Sequence, residues 1–411
     1  MKEMSPAHWE IIASNIKKGN YIPIINDRVY SYLLPNLSNL ANAWAEYINY
    51  PLNHKHTITR LAQYMSVEHG NDTAKDVYLR FVKAYFIGQK RNLTPHQIIT
   101  HPEARLDEAD LAKFVMHLNA SKNKVLKQQS LDILTKLPIP LFITTSHFKF
   151  IEYTLKKYGK TPDYEICAWN EKVKRTTLKE ISTQQLSNLL SSSFNREELK
   201  NLCYDLSIDY EEIGGTVKKS MTRELLSYVE RRERLDDLIT YARKKRPHTN
   251  WPSLEALHNK IIRNGLIRKH KPSVFENEDY LPTANKPLVY HLFGAESDPQ
   301  SIVLSEDNYI DYLIQLSQDD KLIHPIVSEY LTHSPLLLLG YKISDWDFRA
   351  LFRGIISKRH ETDREMSIAI QLDPEEYSPK AQTYLESYFD RVRFKVYWGS
   401  SEEFLNKVAR F

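Results

Sequence analysis

The amino-acid sequence predicts an α/β protein in which a doubly wound, Rossmann-like parallel sheet is interrupted by an inserted small all-α bundle. Three observations support this prediction. In the N-terminal third, short apolar runs alternate with helical patterns, a rhythm typical of α/β domains. From Ser182 to Arg246 the pattern is helical and highly charged, and at Pro287 the alternation of strands and helices returns. One α/β domain in two pieces, with a helical module between them, explains this order.

We accordingly divide the chain into four segments. Residues 1–180 form the first part of the α/β domain and residues 287–411 form its second part. Between them lie the helical module, 181–252, and a helical linker with a loop, 253–286. The length of 411 residues fits two or three domains.

The first part contains two predicted strand–helix units. The first strand is Tyr21–Ile25, and its helix carries apolar residues at helical spacing: Leu37, Leu40, Trp44 and Ile48. The second strand is Leu137–Thr144, which is short and apolar along its whole length, as buried strands are. The helix after it carries Phe148, Ile151 and Leu155.

The second part contains five predicted strands, which are Leu288–Leu292, Ser301–Leu304, Leu336–Leu339, Ser367–Leu372 and Val392–Tyr397. Helical patterns over Asp307–Gln315 and Trp346–Ile356 fit between them. Asp345 is the expected N-cap of the latter helix, because aspartate is a preferred N-cap residue.

The helical module contains three apolar faces. They are formed by Leu199, Leu202, Cys203 and Leu206; by Leu225, Leu226 and Val229; and by Leu235, Leu238 and Ile239. Short helices with such faces predict a compact bundle. Pro252–Lys271 is again helical in pattern, and Pro272–Lys286 reads as a loop.

The composition excludes several classes of protein. Eleven glycines are few for 411 residues, since about 7% is usual, and phosphate-cradling loops need glycine. Two cysteines, Cys167 and Cys203, without a CxxC pattern exclude a disulfide scaffold and a thiolate zinc cluster, and we predict no metal site. A net charge of +4 does not favour nucleic-acid binding.

The N-terminal residues lack the apolar core of a signal peptide. The most apolar stretch, Pro335–Leu339, is much shorter than the roughly 20 residues that span a bilayer. We therefore predict a cytoplasmic protein that does not contact a membrane.

Five blocks of the α/β parts carry a resemblance to a known family. They are YIPIINDRVYSYLLPNLSNLANAWAEYINYPL from residue 21, PIPLFITTSHFKFIEYTLKKYGKTP from 138, PLVYHLFGAESDPQSIVLSEDNYIDYL from 287, SPLLLLGYKISDWDFRALFRGI from 334 and VYWGSSEEFL from 396. In order and spacing these blocks resemble the sirtuin-like proteins of bacterial immune systems. The resemblance implies a sheet that holds NAD at the carboxyl ends of its strands and, in active members, cleavage of the bond between nicotinamide and ribose.

Two motif positions in the first part differ from those of active members. A Gly-Ala-Gly type turn under the phosphates is replaced by Asn26-Asp27-Arg28, which leaves the Arg28 guanidinium as the candidate phosphate ligand. The family's asparagine after Thr144-Thr145 is Ser146, which lacks an amide's paired donor and acceptor. His147 follows and is a candidate replacement base.

A third motif position differs in the second part. The family's catalytic histidine before Gly294 is Phe293 here, and a phenyl ring cannot transfer a proton. His291 lies two residues earlier, so on a continuing strand it is expected to point to the same face. The resemblance thus implies Ser146, His147 and His291 as stand-in catalytic residues, and it implies nucleotide contacts from Arg28, Thr145, Gly294, Gly340, Trp398 and Gly399.

The helical module has its own resemblance, carried by Phe194 with Glu197-Glu198-Leu199, by Leu202-Cys203 and by Arg223-Glu224-Leu225. These features resemble the bacterial effector-associated domains, which are small Death-like bundles that join an effector to a sensor. The predicted partner-binding residues are Lys218, Lys219, Arg223, Arg231, Glu197 and Glu198. The expected partner is an effector or sensor protein with a similar module, or a second copy in a homo-oligomer. Without aromatic interleaving, the basic run Arg243–Arg246 does not favour nucleic acid.

Three hypotheses of function follow. The leading one is a bacterial defence or signalling protein whose degenerate sirtuin-like fold acts as a scaffold, requires no cofactor and recruits partners through the helical module. The alternative is an NAD glycohydrolase that depletes NAD on activation. The third is a sensor that binds NAD or an NAD-derived nucleotide without cleaving it.

Overall fold

The computed structural model describes residues 6–30, 37–52, 56–91, 95–99, 111–113, 130–170, 183–209, 213, 218–232, 234–246, 249, 251, 273–277, 279–356 and 367–411. The chain divides into two compact units. The α/β unit comprises Met1–Val173 and Val274–Phe411, and the helical unit comprises Lys174–Ser273.

Seven strands form one sheet in the α/β unit. They are β1 Ile22–Ile25, β2 Leu141–Thr144, β3 Asp163–Ile166, β4 Leu288–His291, β5 Leu336–Leu339, β6 Ser367–Leu372 and β7 Phe394–Trp398. The order is β3-β4-β2-β1-β5-β6-β7, and every pairing is parallel. The predicted doubly wound, Rossmann-like fold is therefore confirmed. Strands are added on both sides of β1, so the topological switch point lies between β1 and β5, where open α/β sheets bind ligands.

The described helices of the chain are α1 Pro6–Lys17, α2 Leu37–Tyr47, α3 Ile58–His69, α4 Asn71–Arg91, α5 Pro95–Ile99, α6 Ser130–Lys136, α7 Phe150–Lys157, α8 Thr183–Ser193, α9 Arg196–Asp205, α10 Lys218–Arg231, α11 Leu235–Lys245, α12 Glu306–Gln318, α13 Pro325–His333, α14 Trp346–Gly354, α15 Pro379–Asp390 and α16 Ser401–Arg410. The helices α8 to α11 belong to the helical unit. Within the described residues, no helix is both long enough and apolar enough to cross a membrane.

Alternate residues of the central strands enter two separate cores. On one face, Ile25, Phe142 and Val289 pack into a core with α1, α2 and α4. On the other face, neighbouring residues such as Ile24 and Leu288 pack into a core with α12 and α14. Because both faces are covered, these strands are apolar except at carboxyl ends such as Thr144 and His291, which is why their sequences predict strands so clearly.

The predicted strand Ser301–Leu304 is wrong. Pro299–Ser301 is a short 3-10 helix, and the next three residues are buried without joining the sheet. Strand β4 already pairs with β2 and β3, so it has no free edge for another strand. The buried run instead seals the turn after β4, where the Val303 amide donates to the Phe293 carbonyl at 3.0 Å.

Strand β3, Asp163–Ile166, is absent from the sequence prediction. It lies at the edge of the sheet and all four of its residues are only half-buried. The acidic side chains of Asp163 and Glu165 break the apolar run that marks the central strands.

The helical unit packs around its own core, to which Leu199, Leu202 and Cys203 contribute from α9. The predicted faces with Leu225, Leu226 and Val229 and with Leu238 and Ile239 are buried in the same core. Leu206 is only partly buried, and the side chain of Leu235 and the predicted helix Pro252–Lys271 lie outside the described residues.

Candidate functional site

The carboxyl ends of β1, β2, β4 and β5 meet at one edge of the sheet and bring the predicted site residues of these strands together. Thr145 follows β2 and lies between two neighbours: its Oγ1 accepts from Asn26 Nδ2 at 3.5 Å and lies 3.1 Å from the Tyr341 hydroxyl. Residues after β1, β2 and β5 are thus joined by direct hydrogen bonds. The strand ends are arranged as in other doubly wound α/β folds, but the polar groups at this edge bind one another.

The turn after β1 is built by the side chain of Asn26. Its Oδ1 accepts from the Arg28 amide at 3.0 Å, while its Nδ2 also donates to Asp347. A short 3-10 helix, Asp27–Tyr30, follows directly. An asparagine side chain therefore closes this turn, in place of a glycine-rich loop whose amides would face a phosphate.

Arg28 is engaged within the protein. Its guanidinium forms an ion pair with Asp345, and Nη1 donates to the Gly340 carbonyl at 3.5 Å. The predicted capping role of Asp345 is wrong in part: the residue occupies the N-cap position of α14, but its side chain makes no capping hydrogen bond. Pairing with Arg28 supplies the reason.

Acidic side chains gather around Arg28 at the switch point. Burial raises the pKa of Asp27, although a hydrogen bond from Ser146 and the charge of Arg28 oppose the rise. Burial also raises the pKa of Asp347 to about 7, and the nearby charge of Asp345 adds to the effect. These two shifts favour the neutral carboxyl, while Asp345 forms the ion pair with Arg28, so the arginine already has an anionic partner.

Ser146 and His147 are both buried. The Ser146 hydroxyl accepts from the Phe148 amide at 3.2 Å, so it organises the chain before α7. The His147 ring meets the ring of Tyr78 edge-on, with 5.9 Å between centroids. Neither of its nitrogens makes a hydrogen bond of ordinary geometry to the described residues. Burial lowers the pKa of His147 to about 4, against a smaller opposing effect of the Val303 backbone, so the ring is neutral at pH 7.

His291 is fully buried and both of its ring nitrogens are engaged. Nδ1 lies 3.0 Å from the Ser146 carbonyl, and Nε2 lies 2.7 Å from Glu152 Oε1 on α7. A carbonyl can only accept, so Nδ1 carries a proton. The imidazole Nε2 and the Glu152 carboxyl therefore share a further proton, as an ion pair or as a neutral acid–base pair.

Phe293 occupies a fully buried aromatic cluster. Its ring meets the edges or faces of Tyr309 and Tyr312 at about right angles, with centroids 5.4 and 5.1 Å apart. The expectation that His291 and Phe293 share a face is wrong, because β4 ends at His291 and the chain then turns. His291 consequently points toward α7 while Phe293 packs against α12.

Gly294 completes this turn with a φ of +84°. A Cβ at this position would lie 2.2 Å from the Ser301 carbonyl oxygen, so a side chain does not fit. The glycine predicted to contact a nucleotide therefore also serves close packing of the turn against the following loop.

Two buried lysines on α4 were missed by the sequence analysis. Lys83 Nζ lies 3.2 Å from Glu296 Oε2 with both side chains buried, and Lys75 Nζ donates to the Gln300 carbonyl at 3.1 Å. Both lysines hold the loop after β4. The signal was available in the sequence, because Lys75 and Lys83 lie two helical turns apart among apolar residues of α4.

The remaining predicted nucleotide contacts lie in two places. Gly340 follows β5, with a φ of +83° and a Cβ position 3.0 Å from Val29 Cγ2, so it permits close packing of the β1 turn. Trp398 and Gly399 end the edge strand β7, three strands from β1, or about 14 Å at the usual strand spacing. Trp398 Nε1 donates to Glu386 on α15 at 2.8 Å.

The predicted partner-binding residues of the helical unit differ in their surroundings. Glu198 forms a capping box with Asn195 at the start of α9 and an ion pair of 2.7 Å with Arg246. The backbone hydrogen bond at Asn195, followed by Arg246, lowers the pKa of Glu198. Glu197 and Arg223 are exposed and Lys218 is half-buried, whereas the side chains of Lys219 and Arg231 lie outside the described residues.

A shallow cleft of about 570 Å³ opens on the α/β unit, lined by Tyr50, Leu52, Arg60, Gln63, Tyr64, Val67 and Glu306. None of the predicted site residues lines it. Glu306 connects the cleft to the start of α14, because its Oε1 accepts from Trp346 Nε1 at 3.2 Å.

Comparison with protein families gives two matches. Residues 186–247 match the family described as effector-associated domain 7, and residues 236–392 match the SIR2-like domain family. A search among curated proteins found no match. The predicted resemblance to a sirtuin-like domain with an effector-associated module is confirmed, and this combination fits a defence or signalling protein.

Proposed function

Since the chain joins a SIR2-like domain to an effector-associated domain, we propose that it is a cytoplasmic bacterial defence protein in which the α/β unit is a non-catalytic scaffold. The helical unit recruits an effector or sensor protein that bears a similar module. No cofactor is required for this role.

The main support for the proposal is that the side chains at the carboxyl end of β4 are unable to transfer a proton to or from a substrate. Cleavage of the nicotinamide–ribose bond needs a group that positions water or the ribose hydroxyls. Phe293 has no exchangeable proton and is packed against Tyr309 and Tyr312. Both nitrogens of His291 are already bound inside the protein, so this imidazole is a structural group.

The charge at the switch point gives independent support. The Arg28 guanidinium is paired with Asp345, and the buried acids Asp27 and Asp347 lie in the same place. Arg28 therefore already has an anionic partner. A pyrophosphate would have to displace Asp345 from Arg28, so its binding is disfavoured.

Nicotinamide release from NAD tests the scaffold role directly. We expect the purified full-length chain to release no more nicotinamide than buffer does, both at low concentration and after crosslinking into oligomers. The paired variant Ser146→Asn/Phe293→His restores the family's two residues and provides the matched control. Turnover by the unmodified chain that is lost in His291→Ala would overturn the proposal.

Partner recruitment is tested by charge reversal on α10. We expect Lys218→Glu/Lys219→Glu/Arg223→Glu to lose capture of an effector or sensor encoded beside this protein, because opposite charges steer and orient association. Lys380→Glu, an exposed position on α15, is the matched control in the α/β unit. Full capture by the triple variant would remove α10 from the interface.

One observation favours NAD glycohydrolase activity as a second candidate. His147 is buried, neutral at pH 7 and without an ordinary hydrogen bond to the described residues, so a neutral imidazole that can accept a proton lies beside the motif position Ser146. If this candidate is correct, His147→Ala abolishes nicotinamide release. His291→Ala then lowers nicotinamide release only as far as it lowers the amount of folded protein.

A nucleotide sensor is the third candidate, and ligand-induced stabilisation separates it from the others. A ligand that binds only the folded protein raises the melting temperature as its concentration rises. Stabilisation by NAD or ADP-ribose without nicotinamide release would support the sensor, and absence of a shift at millimolar ligand would exclude it.

A further inference from the structure

Helices α14 and α15 lie side by side on one face of the sheet. The Phe352 ring on α14 contacts two rings of α15, with centroid distances of 5.7 Å to Tyr388 and 5.6 Å to Phe389. Strands β5 and β6, which precede these helices, are parallel neighbours, and both helices pack into the same core. The two helices therefore run in the same direction, and we call their solvent side the α14–α15 surface. The arginine and tyrosine side chains of this surface are Arg349, Arg353, Tyr384, Tyr388 and Arg391.

Three arginines make the α14–α15 surface positively charged. Arg349 and Arg353 are exposed on α14 and lie one helical turn apart, or about 6 Å along the axis. Arg391 is exposed directly after α15, seven residues beyond Tyr384, and this spacing places both on one side of the helix. Among the residues that the structure describes, Arg349 and Arg391 form no ion pair. Their guanidinium groups are therefore open to an anion from outside.

The acidic residues of α15 lie on its opposite side, toward β7. Glu386 Oε1 accepts from Trp398 Nε1 at 2.8 Å, and Asp390 pairs with Lys395 Nζ at 2.7 Å. Trp398 and Lys395 both belong to β7, whereas the α14–α15 surface lies on the side of α15 that meets α14. The carboxylates that would repel an anion are thus held away from the three arginines.

Two tyrosines on α15 form a stack that reaches into solvent. The rings of Tyr384 and Tyr388 lie one turn apart, with 6.3 Å between centroids and 21° between planes. Tyr388 is half-buried against Phe352, so packing explains its position. Tyr384 is 66% exposed, so burial contributes little to keeping an aromatic ring there. The outer ring of the stack is available to a further planar group.

Open guanidinium groups beside an exposed aromatic ring are the combination with which proteins bind single-stranded nucleic acids. We propose that the α14–α15 surface binds single-stranded DNA or RNA, with an unpaired base stacked on Tyr384 and phosphates contacted by Arg349, Arg353 and Arg391. A duplex fits less well, because its base faces are already covered by neighbouring bases. The net charge of +4 does not reveal this surface, because the positive charge is local. This activity is additional to recruitment by the helical unit and does not depend on it.

Fluorescence anisotropy of labelled single strands tests the proposal with the full-length chain. The probes are oligothymidine and oligouridine of about 12 nucleotides, within the usual range of site sizes. We expect binding of single strands and at least about tenfold weaker binding of a duplex of the same length. The strand that binds more tightly identifies DNA or RNA as the ligand. Single strands contribute about 0.7 to the salt slope for each neutralised phosphate, so three arginines predict that log Kd rises with log salt at a slope of about 2.

Variants separate the stacking contact from the charge contacts. Tyr384→Ala should weaken binding about tenfold, as expected for the loss of one stacked base, whereas Tyr384→Phe keeps the ring and should bind normally. Arg349→Gln/Arg391→Gln should weaken binding and lower the salt slope to about 0.7. Tyr204→Ala on α9 and Arg410→Gln on α16 alter an exposed aromatic residue and an exposed arginine elsewhere. These two controls should leave the dissociation constant unchanged.

Thermal melting and far-UV circular dichroism check that each variant is folded. Absence of binding at low salt, equal affinity for the duplex, or unchanged binding by folded Tyr384→Ala would overturn the inference. Competition by polyglutamate as effective as that by unlabelled oligothymidine would show a general anion-binding surface and would also overturn it. Capture of a partner through α10 is measured separately, so failure of this inference leaves the proposed recruitment function standing.

Discussion

The carboxyl ends of the central strands and the surface of the helical unit use polar residues in opposite ways. At the sheet, buried polar side chains bind one another in two pairs, which are His291 with Glu152 and Lys83 with Glu296. On the helical unit, Tyr204, Lys244 and Lys245 are exposed. Polar groups that bind one another within a core fix the fold, whereas exposed charged and aromatic side chains remain available to partners.

This difference indicates where each unit tolerates change. A substitution at the sheet should alter stability strongly and leave partner binding unaffected. A substitution on the helical surface should have the reverse effect. Each of the following predictions tests that contrast.

The largest effect is expected for Glu152→Leu. Removal of the carboxyl leaves the His291 Nε2 group buried and without a partner, and breaking a buried pair typically costs about 3–5 kcal/mol. The double variant Glu152→Leu/His291→Leu should lose much less free energy of unfolding than the two single variants lose in sum. Urea unfolding followed by tryptophan fluorescence measures all three, and additive losses would show that the two side chains act independently.

Gly294→Ala is expected to cost about 3 kcal/mol, because a Cβ would meet the Ser301 carbonyl at 2.2 Å and overpacking adds to the backbone strain. Gly159→Ala is the matched control: its φ is +77°, yet nothing lies within 4 Å of the Cβ position. That variant should lose only about 1 kcal/mol from the left-handed backbone. Equal losses in urea unfolding would mean that the turn after β4 is not tightly sealed.

The pH dependence of stability provides a third test. Burial, with Asp345 and Asp27 nearby, raises the folded-state pKa of Asp347 to about 7, although Arg28 opposes this. The folded state then holds a proton that the unfolded chain releases, so stability falls as pH rises from about 4 to 7 and is constant above that range. Asp347→Asn should therefore stabilise the protein at pH 8, where the buried carboxyl must be charged, and have less effect at pH 5. Thermal melts of the variant and of the unmodified chain at pH 5 and pH 8 measure this difference. A larger stabilisation at pH 5 than at pH 8 would contradict the prediction.

The smallest effect is expected for Asn195→Ala in the helical unit. The N-cap side chain accepts from the Glu198 amide at 2.9 Å, and losing such a cap costs about 1 kcal/mol. Asn195→Ser keeps a cap and is the control. Hydrogen exchange of the α9 amides in the full-length chain should accelerate in the alanine variant alone. Faster exchange in β2 or β4 would instead show that the two units share stability.

The sequence predicted the central strands because they are apolar except at carboxyl ends such as Thr144 and His291 and lie under helices on both faces. It did not predict Asp163–Ile166, since an edge strand needs only part of its surface covered and admits acidic residues. Ser301–Leu304 shows the converse error: its residues are buried like a strand, but β4 had no free edge. Burial can be read from a sequence, whereas strand pairing depends on the rest of the sheet.

The location of the candidate site was predictable from the sequence, but the contacts between its side chains were not. The motif positions Ser146, His147 and Phe293 lie at carboxyl strand ends, as the resemblance implies. The contacts of the site depend on residues distant in sequence: Glu152 binds His291, Asp345 pairs with Arg28, and the Phe293 ring packs against Tyr309. No local pattern encodes such pairings, so the direction of the His291 side chain was predicted wrongly.

The pairing of β1 with β5 has a consequence for synthesis on the ribosome. Ile22 is paired with Leu336, so the centre of the sheet needs residues that are 314 positions apart. The helical unit, Lys174–Ser273, is complete well before β5 is made and its contacts are local, which favours fast folding. The growing chain therefore carries a complete helical unit before β5, β6 and β7 have been made, and during that interval the edge of β1 is unpaired and prone to aggregation.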